Sequence, residues 1–270
     1  MSATHQGSRP LGVYVACYIL FLYLPVALIP LFSFNDAVQA AFPLKGFTLS
    51  WYEALSGNET LQKAVVTSLE VGLAAATLAT LCGITIAYMA VFGRSPLSRL
   101  ISALARLQIL IPGVIIGIAL LILVNLAGLG PSRGAIICGH VLAGLPTTVL
   151  VLRSRFLAIP RSITEAAEDL GAREWLVLAK VMLPLSASAI CSAFMLAFLT
   201  SFDEFILAFF LAGSEQTLPL YIWSQLRFPK SLPVVMALGT VILAASIVIA
   251  GFPRSPRSLY SLPGSPCRVP

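Results

Sequence analysis

The chain has 270 residues, a formal net charge of +6, 58% hydrophobic residues and only 10% charged ones, where soluble domains carry about 25% charged residues. With a mean hydropathy of +0.94, this composition excludes a soluble globular domain of this size. The basic excess is not read as a nucleic-acid footprint, because the lysines and arginines follow the segments between apolar runs.

Apolar runs near or above the roughly 20 residues that cross hydrocarbon as a helix occupy 11–34, 65–92, 104–126, 134–152, 185–212 and 233–252. They are continuous, whereas barrel strands alternate apolar and polar residues, so an all-α membrane protein with six transmembrane helices is predicted. The first run, Leu11 to Phe34, is longer than the roughly 7–15 apolar residues of a signal peptide. It reads as an uncleaved helix even though Ala37-Val38-Gln39-Ala40 loosely resembles a cleavage site. Pro25 and Pro30 remove backbone donors inside it, which predicts a bend and burial against other helices.

Between the first two runs, Ser50 and Glu53 have capping-box spacing, and Trp51 and Tyr52 suit a membrane interface, so a short interfacial helix is expected. Glu70 lies near the outer end of the second run, which also carries Gly72, Ala76 and Gly83. In the third run Gly113 and Gly117 stand four apart. Small residues let helices approach closely, and packing within the chain is the expected use. Pro112 is placed to break the start of that run. Cys17, Cys82, Cys138 and Cys191 fall in the runs without CxxC or metal-ligand spacing and read as small buried hydrophobes. His140 has no ligating companion and reads as a helix-packing or interfacial residue.

Residues 158–184 form the one long polar stretch between two apolar runs. Ser162 and Glu165 have capping-box spacing, Gly171 is placed for a left-handed turn, and a second helix is expected from about Ala172. Ala166 and Ala167 offer a small surface for another protein's groove, flanked by Glu165, Glu168, Asp169 and Arg173. In the fifth run Asp203 and Glu204 stand out. A carboxylate at the bilayer centre costs about 2.5–3.5 kcal/mol on insertion scales and marks a functional position by default. On a continuous helix Thr200, Asp203, Glu204 and Leu207 share a face that would suit a cation; the competing reading makes one acid a hydrogen-bonded packing contact. After Gly251 the chain turns to FPRSPRSLYSLPGSPCRVP, too poor in apolar residues to order itself.

Twelve of the 17 basic residues fall in segments that are inside if the N-terminus is inside, which favours both termini in the cytoplasm. No G-x-x-x-x-G-K-[ST] phosphate cradle, nucleophile–base pair or metal motif occurs. Any energy source is therefore external.

The spacing Glu165-Ala166-Ala167, three residues, Gly171, nine residues, Val181, one residue, Leu183-Pro184 resembles the EAA loop of ABC importer permeases, with Val181 where Ile is usual. The resemblance covers about residues 11 to 251. Ser201-Phe202-Asp203-Glu204-Phe205 and Thr217 to Ser224 look like stretches of spermidine/putrescine-type permeases, specifically the second of two paired subunits. The resemblance implies a type I, MetI-like permease fold: a cytoplasmic N-terminus (1–10), a six-helix domain (11–252) containing the coupling loop 158–184, and an atypical tail (253–270). It implies that Glu165, Ala166, Ala167, Gly171 and Leu183 contact an ATPase, and that Asp203, Glu204, Thr200 and Ser201 line a solute path. Implied partners are a cytoplasmic ABC ATPase dimer, a second homologous permease, a periplasmic solute-binding protein and membrane lipid, with no nucleic acid. No cofactor is implied for the chain itself, ATP and Mg²⁺ being bound by the ATPase. The expected setting is the bacterial inner membrane, with polyamine import by alternating access. An ion- or proton-coupled secondary transporter using Asp203 and Glu204 is the alternative.

Overall fold

The computed structural model describes residues 8–93 and 95–251. The tail 253–270, residues 1–7 and Arg94 lie outside them. In chain order the helices are α1 (Ser8–Ser33), α2 (Ser50–Ser56), α3 (Glu59–Phe92), α4 (Pro96–Leu107), α5 (Gly113–Leu126), α6 (Arg133–Ala158) and α7 (Arg161–Asp169). They continue with α8 (Glu174–Val177), α9 (Leu183–Leu185), α10 (Ala187–Phe202), α11 (Ile206–Leu211), α12 (Leu218–Leu226) and α13 (Leu232–Gly251). Among the described residues there are four continuous helices long and apolar enough to cross a membrane, and two bent pairs that complete six. The first pair, Pro96–Leu110 with Gly113–Leu126, bends by 116° at the Pro112 position; the second, Glu174–Leu185 with Ala187–Phe202, bends by 79°.

The chain divides into two compact units, Gly57–Phe228 and the segments on either side of it. In the flanking unit α1 and α2 pack on α13. The loop after α1 is held by the Trp51 indole, which donates to Asn35 O at 3.0 Å, and by Ser33 Oγ, 2.6 Å from Tyr52 OH. Three expectations are corrected here. Ser50 opens α2 as a helical residue and not as its cap, because Leu49 O accepts the Tyr52 and Glu53 N–H groups while Thr48 Oγ1 accepts that of Ser50. Nor is α1 buried against several helices. Its aliphatic and aromatic side chains from Leu11 to Leu24 are exposed, since in a bilayer an apolar face needs no protein cover. Exposure of Cys17, Cys82, Cys138 and Cys191 corrects the expectation of buried cysteines on the same ground.

In the Gly57–Phe228 unit α3, α6 and α10 pack on one another as a three-helix core. The buried face of α3 is made of small residues, Ala75, Ala76, Ala79, Gly83 and Ala87 among them, because close backbone approach and dispersion drive association where lipid is as apolar as leucine. Gly83 is needed as glycine: a Cβ there would lie 2.5 Å from Thr148 Oγ1. That hydroxyl donates to Ala79 O at 3.1 Å and Leu145 O at 2.8 Å, tying α6 to α3. The Gly113/Gly117 pair packs within the chain as expected, with Gly117 against the Phe210 ring of α11.

Candidate functional site

The fifth apolar run is not one helix. Helix α10 ends at Phe202, Asp203 and Glu204 lie in the joint, and α11 starts at Ile206. Thr200, Asp203, Glu204 and Leu207 are therefore not carried by one continuous helix, yet Thr200, Glu204 and Leu207 still line one cleft and only Asp203 falls outside it. The physical reason is visible at Glu204, whose carboxylate accepts the Leu207 N–H at 3.1 Å and so satisfies a donor left open at the start of a new helix.

The four sequence-predicted path residues do not share one wall. Thr200 and Glu204 line a common cleft of about 270 Å³ with Gln108, Ile111, Pro146 and Thr147. Asp203 is exposed beside it, without a hydrogen-bond or ion-pair partner for its carboxylate among the described residues. Ser201 points the other way. It is buried, with its Oγ 2.7 Å from His140 Nδ1, so its expected place on the cleft wall is corrected to a packing contact between α10 and α6.

Gln108 is the residue that sequence reasoning missed. Pro146 has no N–H, so the carbonyl four residues earlier, Leu142 O, loses its helical partner. The Gln108 side-chain amide donates to that carbonyl. The signal was in the sequence as a glutamine inside an apolar run and a proline inside another. The cleft thus lies where the α4–α5 break, the α6 proline and the α10–α11 joint converge, and irregular backbone at membrane depth is tolerated where it lines a cavity.

The polar loop folds as the expected helical hairpin. Helix α7 begins at Arg161 after Pro160, so Ser162 is already helical and the Ser162/Glu165 capping box is corrected; the first turn instead has Thr164 Oγ1 donating to Arg161 O at 2.8 Å. Gly171 has φ +82°. Gly171 N–H donates to Glu168 O at 2.8 Å and Ala172 N–H to Ala167 O at 3.0 Å, the paired bonds of a Schellman motif with glycine in the left-handed position. The second helix starts at Glu174, two residues later than expected, and runs into a π-helical stretch, Leu178–Met182. Glu165 and Ala166 are exposed, whereas Ala167 and Leu183 are half-buried, so the two alanines do not form one outward surface. Outward instead are Ile163 (40%), Leu170 (89%) and Trp175 (64%); Ile163, Ala166 and Leu170 follow one helical face. Arg155 at the end of α6 donates to Leu185 O at 2.6 Å, bracing the bend into α10. At the other end of this unit Glu70 is ion-paired to Arg133, which also meets Glu215 at 2.8 Å.

Residues 79–253 match the family described as the binding-protein-dependent transport system inner membrane component. The chain belongs to that family. It is 31% identical over 239 residues to the spermidine/putrescine transport system permease protein PotC of Escherichia coli strain K12, covering 88% of this chain and 90% of that one. To the putrescine transport system permease protein PotI of the same strain it is 35% identical over 240 residues, covering 86% and 84%. Among solved structures, a bacterial ABC transporter involved in the import of the acidic polysaccharide alginate superposes with a TM-score of 0.71 at 16% identity, covering 94% of this chain and 100% of that one. The fold is accordingly that of the ABC importer permeases, and the chain is a membrane channel component whose ATP-hydrolysing partner is a separate subunit. The secondary-transporter alternative is not favoured.

Proposed function

We propose that this permease moves a polyamine, and that the cationic solute passes the cleft at Thr200 and Glu204. The observation that carries the reading is the Glu204 carboxylate on a cleft formed by broken spans, a setting in which an acid at membrane depth marks a solute or ion path. Asp203, exposed next to it, adds negative potential without lining the cleft. The names of the two relatives supply the solute class. The ATPase-facing surface is the α7 hairpin, with Glu165, Ala166 and Gly171 joined by Ile163, Leu170 and Trp175, while Ala167 and Leu183 support it from within. A second homologous permease, an ATPase dimer that binds ATP and Mg²⁺, and a periplasmic solute-binding protein complete the transporter. Both termini and the hairpin face the cytoplasm, and the arginine distribution supports that orientation. Closure of the ATPases moves the hairpin, and the bent spans rearrange to open the cleft to alternate sides.

Uptake of radiolabelled spermidine and of radiolabelled putrescine into proteoliposomes of the complete transporter, with internal ATP and saturating solute-binding protein, tests the reading. Glu204→Gln keeps size and removes charge, and it is expected to lower uptake with assembly preserved. Asp203→Asn should act less. Parental spermidine uptake by assembled Glu204→Gln transporter overturns the path, and absence of any polyamine uptake by the parent overturns the solute class.

A further inference from the structure

We infer that His140 is a positioning residue that sets the α10–α11 joint and thereby aims the Glu204 carboxylate into the cleft, an inference that rests on the solute-path reading above. Helix α6 touches the broken span on both sides of the joint through glycine. A Cβ at Gly144 would meet Ala197 Cβ at 3.4 Å, before the joint, and a Cβ at Gly139 would meet Leu211 Cδ1 at 2.7 Å and Leu207 Cβ at 3.6 Å, after it. Such apolar contacts fix how close the helices come. They are non-directional, and leave the rotation of the joint undetermined.

The directional contact before the joint is His140; after it, the Ser132 N–H at the start of α6 donates to Leu211 O at 2.9 Å, at the far end of α11. The His140 ring is 1% exposed, and Nδ1 lies 2.7 Å from Ser201 Oγ. The Ser201 carbonyl in turn accepts the Glu204 N–H at 3.3 Å, and the Glu204 carboxylate accepts the Leu207 N–H at 3.1 Å. A chain of hydrogen bonds therefore runs from the middle of α6 through the last turn of α10 to the acid and the first turn of α11. His140 Nε2 is buried with no hydrogen-bond partner among the described residues. A half-satisfied buried ring is costlier than an apolar side chain of similar size, so its contribution is directional and not one of net stability.

The test uses the complete transporter in proteoliposomes with saturating spermidine-loaded binding protein, reading the maximal uptake rate and the spermidine moved per ATP hydrolysed. The variants are Ser201→Ala, His140→Leu, His140→Asn, their combinations and each in a Glu204→Gln background. Losing one directional hydrogen bond should reduce uptake about five- to tenfold and lower the spermidine-to-ATP ratio, with ATPase association unchanged. His140→Asn, which keeps a polar atom near the Nδ1 position, should recover most of the rate. Ser201→Ala with His140→Leu should be no worse than either alone, and neither should matter once Glu204 is Gln. Parental kinetics for Ser201→Ala, or losses of equal size with and without the Glu204 charge, overturn the inference. Ser201→Ala removes a single oxygen and decides the matter even if His140→Leu does not assemble. If Glu204→Gln itself transports at the parental rate, the solute-path reading has failed; if it is impaired while Ser201→Ala and His140→Leu are silent, only the positioning role has.

Discussion

The Gln108 side-chain amide donates to Leu142 O, the carbonyl that Pro146 leaves without a helical partner. One side chain from the α4–α5 break thus completes the hydrogen bonding of α6 beside the cleft. Gln108→Met keeps the length and removes the donor, leaving a carbonyl unsatisfied at an expected cost of about 1–3 kcal/mol. Pro146→Ala restores a backbone N–H to the same carbonyl. The double variant should therefore regain most of the stability lost by Gln108→Met alone, measured by denaturant unfolding in micelles. A double variant as unstable as the single one would show that the amide stabilises the protein in some other way.

Close packing in the three-helix core makes a second contrast. Gly83→Ala places a methyl 2.5 Å from Thr148 Oγ1 and 2.9 Å from Thr148 Cβ, whereas Gly57→Ala meets nothing within 4 Å. Overpacking of this kind costs about 1–3 kcal/mol. Thermal unfolding should show Gly83→Ala clearly destabilised and Gly57→Ala close to the parent. Equal melting temperatures would mean that α3 and α6 separate without cost at that level.

The long apolar runs made the spans legible, because hydrocarbon thickness imposes their length on the sequence. Gly171 made the turn of the hairpin legible, because a left-handed residue favours glycine. The breaks were harder to read. Pro112 announced one, but at 203–204 hydropathy stays high on both sides, and the new helix start depends on Glu204 folding back onto Leu207 N–H, which no periodicity reports. The exposure of Asp203 beside Glu204 follows from that joint, whereas Thr200 and Ser201, consecutive residues within α10, already point about 100° apart. A face drawn on a continuous helix grouped Thr200, Glu204 and Leu207 as the cleft does, and misplaced only Asp203. Likewise Ala166 and Ala167 are neighbours in sequence, yet Ala167 packs against the core cluster that contains Leu152 and Met182, leaving the outward face to Leu170 and Trp175.

Orientation is tested by cysteine labelling in a variant without the five native cysteines. A single cysteine at position 168, on the hairpin, should react with a membrane-impermeant maleimide only after the membrane is opened, and one at position 57 should react in intact cells. Labelling of position 168 from outside would reverse the orientation inferred from the arginines.

Leu170 is the most exposed large apolar side chain of the hairpin, at 89%, and it directly precedes the left-handed Gly171 that fixes its direction. An apolar side chain held outward at a helix end is suited to a groove on a partner, and burying a charge there without a counter-charge is unfavourable. Leu170→Asp should therefore lower the amount of ATPase that copurifies while leaving the fold of the permease intact, since the side chain meets solvent in the chain alone. Gly171→Val acts differently. A β-branched residue at φ +82° costs about 1–2 kcal/mol in the left-handed region, so the turn rotates and Leu170 loses its aim; ATP hydrolysis should continue with little spermidine uptake. Gly171→Asn, which tolerates that conformation better, should lie between Gly171→Val and the parent. Parental copurification by Leu170→Asp, with parental uptake by Gly171→Val, would place the ATPase contact elsewhere on the chain.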